Sequence, residues 1–268
     1  MREAFSYMFK DNKYKNKALT YFVFAMIANF CSIYANTFAP SCSGVGCHVE
    51  QTISPEAARW LFLGVIISLI PLGYHFSCIK ALIEQKENFV LPNFNLIKNF
   101  VQGLKYFFNI ILAVIVYGLG FAIVAILLAI IASLTGLKVL SLMLLAIISI
   151  LLFAGFSILS LAFFWIFANT GWLTTLFRVQ RAYNLVKTNR STYWLALGLM
   201  ILLGIVVGLV SIVAPILGAF TGSSIAASLI AAFLISILAA YTTFVSAFII
   251  AKAVKPVEIP ENKNIVEE

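Results

Sequence analysis

Two cysteines and a histidine lie close together in the segment Cys42-Ser-Gly-Val-Gly-Cys47-His48. Two thiols separated by flexible glycines in an oxidising compartment typically form a disulfide, and we predict one between Cys42 and Cys47. The competing interpretation is a metal site that uses Cys42, Cys47 and His48. Adjacent cysteine and histidine side chains are hard to aim at one ion, and no fourth ligand is apparent, so we favour the disulfide.

His75 is the other residue with a side chain that could act on a proton or a substrate. It lies inside an apolar segment, shortly after Pro71 and Gly73. A histidine there could contact a proton or a substrate in a polar cavity. We favour a neutral ring that is bonded to a carbonyl group freed by Pro71, or that lies near enough to the interface to reach water.

Acidic residues are absent from the central part of the chain, because none lies between Asn88 and Val257. Carboxylates inside membrane helices usually carry proton coupling, so their absence argues against a proton-coupled carrier. It also removes the paired acids of a glycosidase and the acidic ligands of a magnesium site. Neither a glycine-rich phosphate loop nor a His-Glu-x-x-His zinc motif is present. We therefore predict no catalytic residues, no resident metal and no cofactor.

The composition indicates what kind of element positions these residues. The chain is 62% hydrophobic and 10% charged, whereas a soluble domain has roughly 25% charged residues. A helix needs about 20 apolar residues to cross a bilayer, and the lack of alternating polar residues excludes a barrel. We predict an all-α integral membrane bundle of six helices, at about 18–39, 60–83, 107–132, 140–167, 193–217 and 225–251.

The basic residues divide unevenly between the two ends of such a bundle. With six spans, 16 of the 18 lysines and arginines fall on one side, and only Arg59 and Lys138 fall on the other. Because basic residues accumulate in cytoplasmic loops, we predict both termini in the cytoplasm. The net charge is +8, and no nucleic-acid-binding motif is present. The predicted partner is therefore anionic membrane lipid and not nucleic acid.

A short basic amphipathic stretch precedes each predicted pair of helices. In the second stretch, Leu96, Phe100 and Leu104 share one face, and in the third Val179, Ala182, Tyr183 and Val186 do. We predict short helices in the cytoplasmic interface, with their apolar faces in acyl chains. The alternative is that these stretches are solvated loops. The residues expected to contact lipid headgroups are Lys10, Lys13, Lys98, Lys105, Arg178, Arg181 and Lys187.

The recurrence of a basic stretch and two helices predicts one transmembrane domain, 1–254, built of three related hairpin units. These units cover about 1–84, 93–168 and 176–254, and a flexible cytoplasmic tail follows at 255–268. Gly204 and Gly208 form a Gly-x-x-x-Gly pair, for which we expect close helix approach within the chain.

Several short motifs resemble one family of proteins. They are Phe9-Lys10-Asp11, Pro71-Leu72-Gly73-Tyr74, Leu91-Pro92 and Gly103-Leu104-Lys105. They resemble an uncharacterised family of bacterial polytopic membrane proteins, which is distantly similar to the membrane domain of glycerophosphodiester phosphodiesterases. The chain has His75 and then Lys80 where that family tends to place an arginine. The resemblance implies a helical membrane protein, in the inner membrane of a bacterium, and no catalytic residues.

Two functional hypotheses follow from these patterns. The first is a non-enzymatic, membrane-organising or accessory protein, which the three basic stretches favour. The second is a permease or channel for a small neutral or apolar solute, which a six-helix bundle with an interruption at Pro71 and Gly73 would permit. An intramembrane enzyme is disfavoured, because no nucleophile, base and metal-ligand set converges.

Overall fold

The computed structural model describes residues 14–35, 54–84, 91–135, 138–219 and 223–253. Those residues form helices and loops, with no strand among them. The α-helices are α1 (Tyr14–Ala35), α2 (Pro55–Glu84), α3 (Leu96–Thr135), α4 (Lys138–Thr170), α5 (Val179–Thr188), α6 (Arg190–Ala219) and α7 (Ser224–Ala253). A short 3-10 helix at Thr175–Phe177 precedes α5. Every helix except α5 is long and apolar enough to cross a membrane, which gives the six helices that the sequence predicts.

The second basic stretch is not a separate interfacial helix, so this part of the prediction is wrong. It forms the first turns of α3, which continues to Thr135 without interruption. Its buried face consists of Asn99, Gly103, Tyr106 and Asn109, instead of the apolar face that the sequence indicates. Asn99, Gly103 and Tyr106 follow helical spacing and turn toward the protein, because α3 packs against α2 at this point.

Helices α2 and α3 cross with their backbones in contact. A Cβ atom added to Gly73 would lie 1.7 Å from the carbonyl oxygen of Asn99, and one added to Gly103 would lie 2.0 Å from the carbonyl oxygen of Leu69. Only glycine, which has no Cβ atom, allows two helix backbones to come this close. The expected close approach at Gly204 and Gly208 is wrong for the part of the chain that the structure describes, because a Cβ at either residue meets nothing within 4 Å.

Helix α1 packs along α2 and α7, and α7 also packs along α6. Polar side chains bridge α1 and α7 at two levels. The Asn29 amide donates to the Ser236 hydroxyl over 2.9 Å, and the hydroxyls of Tyr21 and Thr243 lie 2.7 Å apart. The residue numbers of the bonded pairs increase along α1 and decrease along α7, so the first and last helices of the bundle run antiparallel. In a membrane, such bonds hold helices together because no water competes for them.

The last turns of α4 form the centre of the bundle. Nearly every residue from Leu161 to Ala168 is buried, whereas the preceding turns of α4 are largely exposed. An aromatic cluster surrounds this segment. The ring of Phe76 lies 4.6 Å from the rings of both Tyr106 and Phe167, measured between centroids. Helix α4 is thus enclosed by its neighbours at one end, while its other end presents apolar side chains outward.

Gly171 ends α4 and turns the chain back. Its φ of 64° lies in the left-handed region, which glycine adopts without the steric penalty of other residues. Its N–H donates to the carbonyl of Phe167 over 2.7 Å. The following loop returns along α3, where the Tyr117 hydroxyl donates to the carbonyl of Leu176 over 3.0 Å.

Candidate functional site

A basic cavity of about 570 Å³ opens where α2 ends, α3 begins and α4 ends. Three lysines line it, Lys80 from α2 and Lys98 and Lys105 from α3, and we call it the lysine cavity. The only carboxylate among its described lining residues is that of Glu84. The side chains around the cavity therefore carry a surplus of positive charge.

Helical spacing explains how these charges come together. Lys98 and Lys105 are seven residues apart on α3, so both project from one face together with Gln102. Lys80 and Glu84 are one turn apart on α2, and the Nζ to Oε1 distance is 3.6 Å. Among the described residues, no carboxylate forms an ion pair with Lys98 or Lys105. These two ammonium groups are thus the part of the cavity best able to bind an added anion.

A hydrogen-bond network forms the wall of the cavity between α2 and α3. The Ser77 hydroxyl lies 3.1 Å from the Gly73 carbonyl, 3.3 Å from the Asn99 side-chain oxygen and 3.0 Å from the Gln102 side-chain oxygen. A hydroxyl has one hydrogen and cannot donate to all three. We therefore assign the hydrogen to Gly73 and turn both amides, so that their NH₂ groups donate to Ser77. The rotation also gives a partner to the buried Asn99 nitrogen, which lacks one as placed.

The predicted headgroup residues do not all meet at one site. Lys98 and Lys105 line the lysine cavity. Lys10, Lys13, Cys42, Cys47 and His48 lie outside the described residues, so the disulfide stays a prediction. Lys80 was missed as a site residue, because sequence reasoning used it only to assign orientation. No spacing in the sequence points to it, because its position beside Lys98 and Lys105 depends on the crossing of α2 and α3.

The third basic stretch forms helix α5, as the periodicity predicts. Its predicted apolar face is divided in the structure. Ala182 and Val186 are buried, as is Leu185, whereas Val179 and Tyr183 are exposed. Because α5 packs on α4 and α6, protein covers part of the face that we expected in acyl chains, and only its exposed part is open to lipid.

Arg178 makes a local contact with an aromatic ring, and Arg181 is partly buried. The guanidinium group of Arg178 lies 3.9 Å from the centroid of the Trp172 ring, a cation–π arrangement. The Nε atom of Arg181 is buried. Lys187 lies in the last turn of α5 and is exposed, where its charge interacts favourably with the helix C-terminus. None of the three lines the lysine cavity.

His75 joins α2 to α7. Its Nε2 atom lies 3.2 Å from the Ser246 hydroxyl, and that hydroxyl donates to the Thr243 carbonyl over 2.9 Å. Since the serine hydrogen is used, we assign the hydrogen of the histidine to Nε2, which donates to Ser246. The ring also lies 6.3 Å from that of Phe164. The partner of His75 is thus a hydroxyl of α7 and not a carbonyl freed by Pro71, and His75 does not line the lysine cavity.

The chain matches one family model, described as protein of unknown function (DUF4013), over residues 59–216. No curated protein and no solved structure matches it. The matched range contains all the residues that line the lysine cavity, from Ser77 to Gly171.

Proposed function

Since the chain belongs to the DUF4013 family, which has no known activity to transfer, we propose a function from the lysine cavity itself. The protein is a non-enzymatic, multi-pass protein of the bacterial inner membrane with both termini in the cytoplasm. Its lysine cavity holds the headgroup of an anionic lipid at the cytoplasmic surface. Its role is to organise lipid or to assist other membrane components.

The observation that carries this proposal is the convergence of Lys80, Lys98 and Lys105 on one open cavity. An anionic headgroup near a membrane surface gains about 1 kcal/mol from each nearby lysine. The carbonyl groups at the ends of α2 and α4 carry partial negative charge and oppose an anion. Lys80 is offset by Glu84, but the two lysines on α3 outweigh this opposition, because a full positive charge exceeds the partial charge of a helix end.

Replacing both Lys98 and Lys105 by glutamine tests the site. We expect retention of phosphatidylglycerol by the purified protein to fall about 30-fold, since two lysines contribute about 2 kcal/mol. Native mass spectrometry of the detergent-solubilised protein measures this retention, with phosphatidylcholine as the neutral comparison.

The matched control is the Lys15→Gln/Lys252→Gln double variant. It removes the same charge from two exposed lysines outside the cavity. If both double variants lose the same amount of phosphatidylglycerol retention, the loss is an effect of net charge alone. That result would contradict a specific headgroup site.

The orientation has its own test. Reporter fusions at residues 90 and 185 should indicate the cytoplasm, and fusions at residues 136 and 221 should indicate the opposite side. The reason is the 16 to 2 division of basic residues across the six spans. An external signal at residue 185 would place the lysine cavity on the wrong side for anionic cytoplasmic lipid.

A further inference from the structure

An apolar groove of about 540 Å³ lies between α3 and α4. Val116, Gly120 and Val124 line it from α3, and Ile148, Leu152 and Phe156 line it from α4. Gly120 leaves open space, because an added Cβ would meet nothing within 4 Å. The Tyr117 ring forms part of the wall, and its hydroxyl is engaged by the Leu176 carbonyl. The groove therefore offers a surface for a hydrocarbon chain and no polar group that requires a partner.

The groove continues the lysine cavity along the same pair of helices. Tyr106 contacts Phe167, and Tyr117 contacts Phe156. The contact moves 11 residues forward along α3 and 11 residues backward along α4, so the two helices run antiparallel. The cavity and the groove are thus two openings along one antiparallel pair.

Helical phase gives the two openings overlapping faces of that pair. Val116 follows Lys98 by 18 residues, and Gly120 follows Gln102 by the same number. Eighteen residues make about five full turns, so each pair of residues shares one face of α3. Thr170 in the cavity and Leu152 in the groove have the same relation on α4.

The separation of the two openings fits a membrane lipid. From Lys105 to Val116 the helix rises about 16 Å. One leaflet of a bilayer has a hydrocarbon depth of about 15 Å, half of the full core. A lipid whose headgroup lies at Lys105 therefore reaches the near edge of the groove, at Val116, with the end of its acyl chain.

We infer that the groove between α3 and α4 holds an acyl chain of the same anionic lipid whose headgroup occupies the lysine cavity. The inference rests on the proposed function and adds the class of ligand: a whole anionic glycerophospholipid instead of a free anion. Charge complementarity at one end and an apolar groove on the same face at the other select this occupant over a neutral lipid or a soluble phosphate. Surrounding lipid tails are as apolar as the groove, so the hydrophobic effect alone gives an acyl chain no preference for it. Van der Waals packing against the groove residues must therefore provide the selectivity for chain length.

The test fills the groove and leaves the lysines unchanged. The variant is Gly120→Phe, and its control is Gly118→Phe, which lies about 200° around the same helix and also has open space at its Cβ. The probes are palmitoyl-oleoyl phosphatidylglycerol, dihexanoyl phosphatidylglycerol and glycerol phosphate. Retention of each probe is measured by native mass spectrometry.

We expect Gly120→Phe to lower retention of the long-chain lipid by about tenfold through loss of packing contacts. It should leave the short-chain lipid unchanged, and Gly118→Phe should change neither. If Gly120→Phe has no effect while Lys98→Gln/Lys105→Gln does, the groove is not the chain site and the headgroup site stands. If glycerol phosphate binds as tightly as the long-chain lipid, the cavity takes a free anion and the inference is overturned. If the lysine variant also retains lipid normally, the proposed function itself fails.

Discussion

Replacing Gly103 by alanine should lower the free energy of unfolding by about 3 kcal/mol or more, at or above the upper end for overpacking. The new Cβ would lie 2.0 Å from the carbonyl oxygen of Leu69. Because the obstructing atom belongs to the α2 backbone, no side-chain rotation relieves the clash, and the two helices must separate. Equilibrium unfolding in mixed detergent micelles of increasing dodecyl sulfate content measures the change.

The matched controls are Gly118→Ala on the same helix and Gly204→Ala on α6. An added Cβ meets nothing within 4 Å at either position. Alanine has the higher helix propensity, so each control should be neutral or stabilised by up to about 1 kcal/mol. A neutral Gly103→Ala variant would show that α2 and α3 do not cross with their backbones in contact.

Replacing Phe76 by alanine should destabilise the protein by about 3 to 5 kcal/mol, the usual range for a buried phenylalanine. Phe76 is 0% exposed, and its ring packs against those of Tyr106 and Phe167. The removed ring leaves a cavity between α2, α3 and α4, which these helices cannot close without losing the contact at Gly103. The same detergent titration measures the loss.

Phe62→Ala is the control for Phe76, because Phe62 lies on the same helix and is 65% exposed. Its replacement should change stability by less than about 0.5 kcal/mol, as expected of a surface position. Similar losses at both positions would mean that Phe76 is not enclosed by the aromatic cluster.

Hydrophobic patterning predicts the helices well because a spanning helix needs a long apolar run. It does not predict which helices touch. Gly73 and Gly103 meet across 30 residues of sequence, and neither belongs to a Gly-x-x-x-Gly pair, whereas Gly204 and Gly208 form such a pair and face open space. Spacing within one helix says nothing about the surface of its partner, and this is why the expectation at Gly204 and Gly208 failed while the contact at Gly73 and Gly103 was not predicted.

The lysine cavity shows a similar division between local and tertiary information. The face shared by Lys98 and Lys105 follows from helical periodicity alone. The addition of Lys80 depends on the crossing of α2 and α3, which the sequence does not indicate. The burial of Asn99 likewise depends on the crossing of α2 and α3, and its side chain finds a polar partner there in Ser77.

The pairing of α1 with α7 has a consequence for biosynthesis. Asn29 and Ser236 are 207 residues apart, so a ribosome that adds about 5 to 20 residues per second makes the partner of Asn29 roughly 10 to 40 s later. During that interval the nascent first helix presents an amide and the Tyr21 hydroxyl to its surroundings. A chain that stops before α7 can therefore still pack α1 against α2, but it leaves the Asn29 amide and the Tyr21 hydroxyl without their partners on α7.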